Sequence, residues 1–386
     1  MIIVKQKRSL LDDAQGQEKK AAMEKKEKKP KKKSALKGVL TVAAVLLLIV
    51  AGFTAWYIPH MHYDIEQHEF YDIASLEAGN RNYDDHSIVY MTNDISPEAL
   101  MKIYETLDVH PQGNVAIKLS TGEAGNPNYL DPNLIKDLVQ SVDGTIIECN
   151  TAYSGSKRAD TEMHMQVAKD HGFTAIADVD IMDRDGYMVI PVEGGVNLKE
   201  NWVGQNLANY DYVIVLSHFK GHPMGGFGGA LKNISIGIGS REGKVRIHTG
   251  GVFSKPPIDI GSLLTNQDTF TESMAEAAKS VSDYEGYGQK IVYISVMNHM
   301  SIDCDCVSTP TEVDMHDIGI LASTDPVALD QACVDLVFKA ADGQSLQNRI
   351  LEKNGLHILT HCERIGFGNR AYEIVNIDAA ETEETE

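Results

Sequence analysis

From residue 86 onward, short apolar, β-branched runs alternate with amphipathic stretches. The apolar runs predict six strands, at residues 88–92, 115–119, 145–149, 174–177, 212–217 and 291–296. The amphipathic stretches predict seven helices, at residues 97–107, 132–142, 162–171, 198–208, 269–281, 326–340 and 345–353. Strands that alternate with helices at this spacing predict parallel pairing. The fold class is therefore α/β, a mainly parallel sheet with helices on both faces.

A single uncharged apolar run, residues 38–58, precedes this pattern. About 20 apolar residues form a helix of roughly 30 Å, which matches the hydrocarbon core of a bilayer. A cleaved signal peptide is the alternative, but its apolar region is about 7–15 residues long and ends in small residues. This run is longer and ends in Trp-Tyr-Ile. We therefore expect one uncleaved transmembrane anchor.

Charge is distributed unevenly along the chain. Residues 1–37 hold 13 Lys and Arg against 5 Asp and Glu, whereas the whole chain has a net charge of −20. The positive-inside rule predicts a cytoplasmic N-terminus and an extracytoplasmic main domain. The acidic main domain excludes nucleic acid as an expected partner, because phosphate backbones bind clustered Lys and Arg.

Composition divides the chain into five segments. They are a basic disordered tail (1–37), the anchor (38–58), a juxtamembrane linker (59–85), the α/β domain (86–376) and an acidic tail (377–386).

The densest candidate chemistry lies at residues 218–248, directly after the predicted strand 212–217. Ligands in open α/β sheets bind beyond the carboxyl ends of strands. The glycines allow backbone N–H groups to approach an anion, and the lysines add positive charge. Candidate ligand-binding residues here are Gly225, Gly226, Gly228, Gly229, Lys232, Asn233 and Lys244. Candidate catalytic residues are His218, Lys220 and His222, since His is the commonest general base.

A second signal is the sequence Ser-Ile-Asp-Cys-Asp-Cys at residues 301–306. Thiolates suit soft or borderline metals, so Cys304 and Cys306 are candidate metal ligands together with His218, His222 and His248. A disulfide is an equal alternative for the two thiols. Five cysteines cannot all pair within one chain. Cys333 lies in a helical pattern and is expected to be a core thiol.

Three weaker segments follow other predicted strands. Glu123, with Lys118 nearby, and Asn150, with Tyr153, Lys157 and Arg158, are further candidates for ligand binding. The acidic residues 183–186 are expected to form a solvated turn.

Several long strings resemble the family called domain of unknown function 362. They are HFKGHPMGGFGGALKN, IGSREGK, ECNTAY, MAEAAK, DCDC and LASTDPVALDQAC, and the resemblance runs from about residue 88 to about residue 367. Members of that family are often labelled iron–sulfur centre proteins, and many carry a ferredoxin-like module. This chain has no CxxCxxCxxxC run, so no ferredoxin-type cluster is implied. The resemblance implies a fold and a site at His218, Lys220, His222, Gly228, Gly229, Lys232, Asn233, Cys304 and Cys306.

Three functions compete. The first is a metal- or Fe–S-dependent oxidoreductase acting on a small anionic substrate. The second is a non-catalytic extracytoplasmic module that binds a small anionic ligand. The third is a metal-independent hydrolase or transferase with His218 as its base. The first requires the glycine-rich segment and the two thiols to face each other across one crevice.

Overall fold

The computed structural model describes residues 19–20, 40–48, 86–258 and 265–378. Residues 40–48 are helical and belong to a unit that ends at Tyr63. Within the described ranges, every helix falls short of the length or apolar character needed to cross a membrane. The predicted linker, almost all of the predicted basic and acidic tails and the remainder of the predicted anchor lie outside these ranges.

The second unit contains twelve described strands and nine described α-helices from residue 86 onward. The strands are β1 Ser87–Thr92, β2 Val115–Lys118, β3 Thr145–Glu148, β4 Val179–Ile181, β5 Tyr187–Pro191, β6 Glu200–Gly204, β7 Tyr212–His218, β8 Lys220–His222, β9 Gly226–Gly228, β10 Ile291–Met297, β11 Gly319–Ser323 and β12 Tyr372–Asn376. The helices are α1 Pro97–Thr106, α2 Pro132–Ser141, α3 Thr161–Asp170, α4 Ala230–Ser235, α5 Arg241–His248, α6 Gln267–Tyr284, α7 Pro326–Lys339, α8 Gln344–Glu352 and α9 His357–Arg364.

Eight strands form one sheet in the order β12-β1-β11-β10-β7-β2-β3-β4. Only β11 runs antiparallel to its neighbours in this sheet. The prediction of a mainly parallel sheet is therefore confirmed. The carboxyl ends of β2, β3, β7 and β10 meet at one edge.

Hydrophobic side chains cover the sheet on both faces. In β7, Val213 and Val215 pack into a core with α4, α6 and α7, whereas Ile214 and Leu216 pack into a core with α1 and α2. Successive residues of a strand point to opposite faces, so a strand buried on both sides must be apolar throughout. The continuous apolar run at β7 meets that requirement.

Helix starts follow the sequence signals. Ser96 accepts a hydrogen bond from the Ala99 N–H, and Asp131 accepts one from the Asn133 N–H, each directly before a proline at the first helical position.

Two predicted elements are wrong. Residues 174–177 do not form a strand, because Phe173–Ala175 is a 3₁₀ turn and the strand comes later, at β4. Residues 198–208 do not form a helix, because β6 pairs with β5 and is followed by a 3₁₀ turn at Gln205–Asn209. Buried residues alternate along β6, and the Asn201 amide donates to the Ala277 carbonyl and the Ser280 hydroxyl. These long-range contacts replace the local helical pattern.

The acidic segment after β3 is also more than a solvated turn. Asp180 is buried and accepts hydrogen bonds from the Asn206 amide and the Tyr210 hydroxyl. Asp183 accepts from the backbone N–H groups of Asn150 and Arg241, both at 2.9 Å. Asp183 thereby ties the end of β3 to the start of α5.

Candidate functional site

A cavity of about 350 Å³ lies beyond the carboxyl ends of β2, β3 and β7. Lys118 and Glu148 end β2 and β3, and His218 ends β7. The loop that follows β10 contributes Cys304, Asp305 and Cys306 to the same wall. Ligands in open α/β sheets bind at this edge, so the position favours a functional site.

Asp305 is the centre of a buried charged group. Its carboxylate accepts from Lys220 Nζ at 2.9 Å and lies 2.9 Å from His218 Nδ1. His218 Nε2 lies 2.8 Å from the Asn298 carbonyl oxygen. Both partners of His218 are oxygen atoms, so both ring nitrogens are engaged in hydrogen bonds. Burial acts to raise the pKa of Asp305, but the charges of His218 and Lys220 hold it well below its usual range.

Cys304 and Cys306 flank Asp305 in the chain and form a disulfide bond. The donor atoms of His222, Cys304 and Cys306 all lie within 4.8 Å of one another. Close backbone packing brings them together: an added Cβ on Gly221 would lie 2.4 Å from the Ile302 carbonyl oxygen. Glycine at position 221 therefore allows β8 to lie against the cysteine loop.

Hydrogen bonds to the backbone fix the tautomers of two other histidines, His222 and His248. His222 Nδ1 accepts the Gly225 N–H at 2.8 Å, so the neutral ring carries its proton on Nε2. His248 Nδ1 donates to the Lys244 carbonyl at 2.6 Å, which leaves Nε2 with its lone pair. Burial lowers the pKa of His248 to about 4 and lowers the pKa of His222 well below its usual range. Both rings are therefore neutral near pH 7.

Three lysines add positive charge to the cavity wall. Lys118 Nζ donates to the Leu119 carbonyl at 2.7 Å and to Asn233 Oδ1 at 2.8 Å. Lys244 Nζ donates to the Gly239 carbonyl at 2.6 Å. Burial, assisted by the neighbouring lysine charges, lowers the pKa of Lys118 and of Lys232 to about 8. The charge of one ammonium therefore opposes the protonation of the next.

A network of carboxylates and Arg158 supports the part of the wall formed by the loop after β3. Arg158 Nη1 lies 3.0 Å from Glu148 Oε1, and its Nε lies 3.6 Å from Glu123 Oε2. Glu123 also accepts the Lys157 N–H at 2.9 Å. The Tyr153 hydroxyl donates to the Cys306 carbonyl at 2.9 Å. This network fixes the loop after β3 against the cysteine loop.

A family model described as a domain of unknown function (DUF362) matches residues 115–335, which is more than half of the chain. The chain belongs to this family. No curated protein matches this DUF362 protein.

Two solved structures share limited similarity with this DUF362 protein. The lactate racemase apoprotein from Thermoanaerobacterium thermosaccharolyticum is 13% identical, with a TM-score of 0.31, over 56% of this chain and 53% of that one. A structural-genomics protein from Thermotoga maritima is 13% identical, with a TM-score of 0.37, over 61% and 57% of the two chains. This DUF362 protein therefore matches only about half the length of either structure.

The structure divides the candidate site residues of this DUF362 protein into two groups. Those that line the cavity are His218, His222, Gly228, Gly229, Lys232, Asn233, Lys244, His248, Cys304 and Cys306. Those outside the lining are Lys220, Gly225, Gly226, Glu123 and Asn150. Lys220 holds Asp305 from behind, and Glu123 holds the loop after β3. The Asn150 amide donates to the Thr161 hydroxyl, so this residue stabilises the start of α3.

The histidines do not act as one set. Only His222 lies in the three-donor cluster with the cysteines. Both ring nitrogens of His218 are already engaged, one by the Asp305 carboxylate and one by the Asn298 carbonyl. His248 lines the cavity outside the cluster, with Nε2 free to accept a proton.

Several lining residues were not singled out as primary candidates, namely Lys118, Glu148, Tyr153, Arg158 and Asp305. Lys118, Tyr153 and Arg158 lie at or near the ends of predicted strands, and this position is the sequence signal for a place in the site. Asp305 had a further signal, since its side chain alternates with two cysteines in the sequence.

The remaining cysteines, Cys149, Cys333 and Cys362, are buried free thiols. Cys333 and Cys362 lie in the hydrophobic core. Cys149 lines the cavity, but its thiol donates to the Ile238 carbonyl at 3.3 Å. Within the described ranges, the only group of at least three potential metal ligands is therefore His222 with Cys304 and Cys306.

Proposed function

We propose that this DUF362 protein is a metal-dependent enzyme, an oxidoreductase, that acts on a small anionic substrate. This proposal rests mainly on one observation. The donor atoms of His222, Cys304 and Cys306 lie within 4.8 Å of one another, on the wall of a cavity that lysines also line. Thiolate and imidazole together suit zinc, iron or copper, and three protein ligands leave a further coordination position for substrate. When bound, such a metal supplies Lewis-acid or electron-transfer chemistry at that position.

The donor set favours a single ion over an iron–sulfur cluster. Clusters take four protein ligands, usually four thiolates. The cavity offers the pair Cys304 and Cys306, whereas the Cys149 thiol is engaged with a backbone carbonyl. Metal binding requires both thiols to be reduced, because thiolates are the ligands. If Nε2 of His222 is the ligand, its proton must move to Nδ1, and the ring gives up the hydrogen bond that Nδ1 accepts from the Gly225 N–H.

The remaining residues prepare the cavity for a substrate. Asp305 fixes the cysteine loop through Lys220 and His218. His248 presents a neutral Nε2 to the cavity, where it can accept a hydrogen bond from a bound molecule.

Elemental analysis tests the metal site. The full chain is purified without oxygen in a phosphine reductant, and metal content is measured with the visible absorption spectrum. We expect close to one equivalent of a transition metal, lost in the Cys304→Ser/Cys306→Ser variant and retained in the control Cys149→Ser. Less than about a tenth of an equivalent in the reduced wild type would contradict the proposal.

Thiol–disulfide exchange is the second candidate function. The disulfide between Cys304 and Cys306 lies beside the Nε2–H of His222 and cavity lysines, an electropositive setting that stabilises thiolates. In that reaction the disulfide accepts two electrons and two protons, and a substrate dithiol becomes a disulfide. A metal-free protein whose Cys304–Cys306 pair equilibrates with a glutathione buffer would support this function instead. If the protein binds no metal and its disulfide does not react with glutathione, the remaining hypothesis is a non-catalytic module that binds a small anion.

We further propose that residues 38–58 anchor the protein in the cell membrane, with residues 1–37 in the cytoplasm and the folded domain outside. The uncharged apolar run and the preceding lysines support this topology. Carbonate extraction should leave the chain in the membrane fraction, and protease added to intact protoplasts should digest the folded domain. Release by carbonate, or full protection from the protease, would contradict it.

A further inference from the structure

The cavity wall carries three lysines that lack carboxylate partners. Lys118 donates to a backbone carbonyl and an amide oxygen, and Lys244 donates to backbone carbonyls. Lys232 has no hydrogen-bond or ion-pair partner in the part of the chain that the structure describes. Removing ammonium groups from water without a counter-charge is costly, and such charges are ordinarily paired.

The acidic residues of the wall are bonded to other partners, although the charges of Glu148 and Asp305 act to raise the pKa of Lys118 and of Lys232. Glu148 is bound to Arg158 at 3.0 Å and to His164 at 3.0 Å. Asp305 is bound to Lys220 and His218. Among the lining residues, four Lys and Arg face two carboxylates, which leaves two positive charges in excess in a chain whose net charge is −20.

We propose that this cavity is a binding site for a dianionic group, a phosphoryl group or a dicarboxylate, held among the ammonium groups of Lys118, Lys232 and Lys244. The inference deepens the proposed function, on which it rests for the small anionic substrate. It uses none of the residues of the metal cluster. Two thiolates with one divalent ion are neutral together, so a bound metal leaves the excess charge of the lysines in place.

Two glycines leave the space that the side chains of Lys118 and Lys232 occupy. A Cβ on Gly237 would lie 2.6 Å from Lys118 Nζ, and a Cβ on Gly228 would lie 2.9 Å from Lys232 Cδ. Each lysine side chain therefore crosses a residue that has no side chain. Asn233 orients Lys118 further, since its amide nitrogen donates to the Ser217 hydroxyl while its oxygen accepts from the ammonium.

The remaining lining limits the size and polarity of the ligand. Met224, Ile236, Ile258 and Val307 give the cavity an apolar side. A volume of about 350 Å³ accommodates a small metabolite and excludes a polymer. The geometry therefore assigns a charged end at the lysines and an apolar body toward these side chains.

Isothermal titration calorimetry on the detergent-solubilised full chain tests the site at pH 7, below the pKa of about 8 of Lys118 and Lys232, with inorganic phosphate, succinate and acetate as probes. Phosphate or succinate should bind at least about tenfold more tightly than acetate, since a second charged hydrogen bond is worth that factor or more. Tighter phosphate binding assigns a phosphoryl group, and tighter succinate binding assigns a dicarboxylate. Equal binding of all three, or no binding, would overturn the proposal.

Variants separate the site from general charge effects. Lys232→Met should weaken the preferred dianion about tenfold or more, because its ammonium is the unpartnered one. The control Lys136→Met removes an exposed lysine of α2 and should leave binding unchanged. Unchanged binding in a folded Lys232→Met protein would refute the assignment.

The metal proposal can fail independently. The Cys304→Ser/Cys306→Ser variant should still bind the dianion, because it retains all three lysines. Retained binding in that metal-free variant upholds the dianion site whatever the outcome of the metal analysis. Loss of binding there, in a protein with wild-type circular dichroism, would show that the lysines alone do not make the site.

Discussion

Asp305→Asn should be among the most damaging conservative substitutions near the cavity. Asp305 is 5% exposed, and its two oxygens lie 2.9 Å from Lys220 Nζ and 2.9 Å from His218 Nδ1. An amide keeps one acceptor but directs its NH₂ group at one of these two donors. Lys220, which is 2% exposed, is then left buried without a counter-charge.

The magnitude follows from that uncompensated charge. Breaking a buried ion pair by removing one partner costs about 3–5 kcal/mol, which is a factor of roughly 100 or more in the folding equilibrium. Removing both charges costs less, because no buried ion remains. Asp305→Asn/Lys220→Met should therefore recover at least about 1 kcal/mol relative to Asp305→Asn alone.

Urea unfolding of the full chain, followed by far-ultraviolet circular dichroism, measures both quantities. The three proteins to compare are Asp305→Asn, Lys220→Met and the double variant, each against wild type. A loss below about 1 kcal/mol for Asp305→Asn, or strict additivity in the double variant, would refute the argument that this carboxylate compensates buried positive charge.

Three other substitutions test separate features. Gly221→Ala should cost about 1–3 kcal/mol, because its Cβ would lie 2.4 Å from the Ile302 carbonyl oxygen; an unchanged urea midpoint would contradict this. His248→Asn should reduce the loss of unfolding free energy that the wild type shows as the pH falls from 7 to 4. The folded pKa of His248 is about 4 against an ordinary 6.5, so the unfolded chain binds the proton first and the wild type should lose about 3 kcal/mol as pH falls from 7 to 4. Identical pH profiles would disprove this. Arg158→Met should cost about 3 kcal/mol or more, whereas the exposed Arg184→Met should cost less than about 1 kcal/mol; similar unfolding curves for the two would exclude a special role for Arg158.

Most of the sheet could be predicted from the sequence because its central strands are buried on both faces. Residues 212–217 and 291–296 are continuous apolar runs, and the structure places strands there with bounds shifted by one residue. The pattern failed where pairing depends on distant partners. Asp180 looks like a surface residue in the sequence. Inside the fold, however, its carboxylate accepts hydrogen bonds from the Asn206 amide and the Tyr210 hydroxyl.

The site shows the same division. Strand-end position identified the segment around His218 and the cysteine loop, and the structure brings His222 and both cysteines together. The hydrogen-bond partners of a histidine could not be predicted from the sequence, because they include distant groups such as the Asn298 carbonyl, 80 positions from His218. The role of Lys220 could not be predicted either. It lies in the glycine-rich segment after β7, yet it contacts Asp305 and does not line the cavity.

The place of β1 in the sheet has a consequence for biosynthesis. Its two neighbours are β11 and β12, so Ser87–Thr92 pairs only with residues that the ribosome adds more than 200 positions later. At about 5–20 residues per second, this strand waits at least roughly ten seconds for its first partner. β12 spans Tyr372–Asn376, so its pairing with β1 follows the synthesis of almost 300 further residues. A nascent chain of this protein therefore needs protection for its first strand until β11 and β12 have been synthesised.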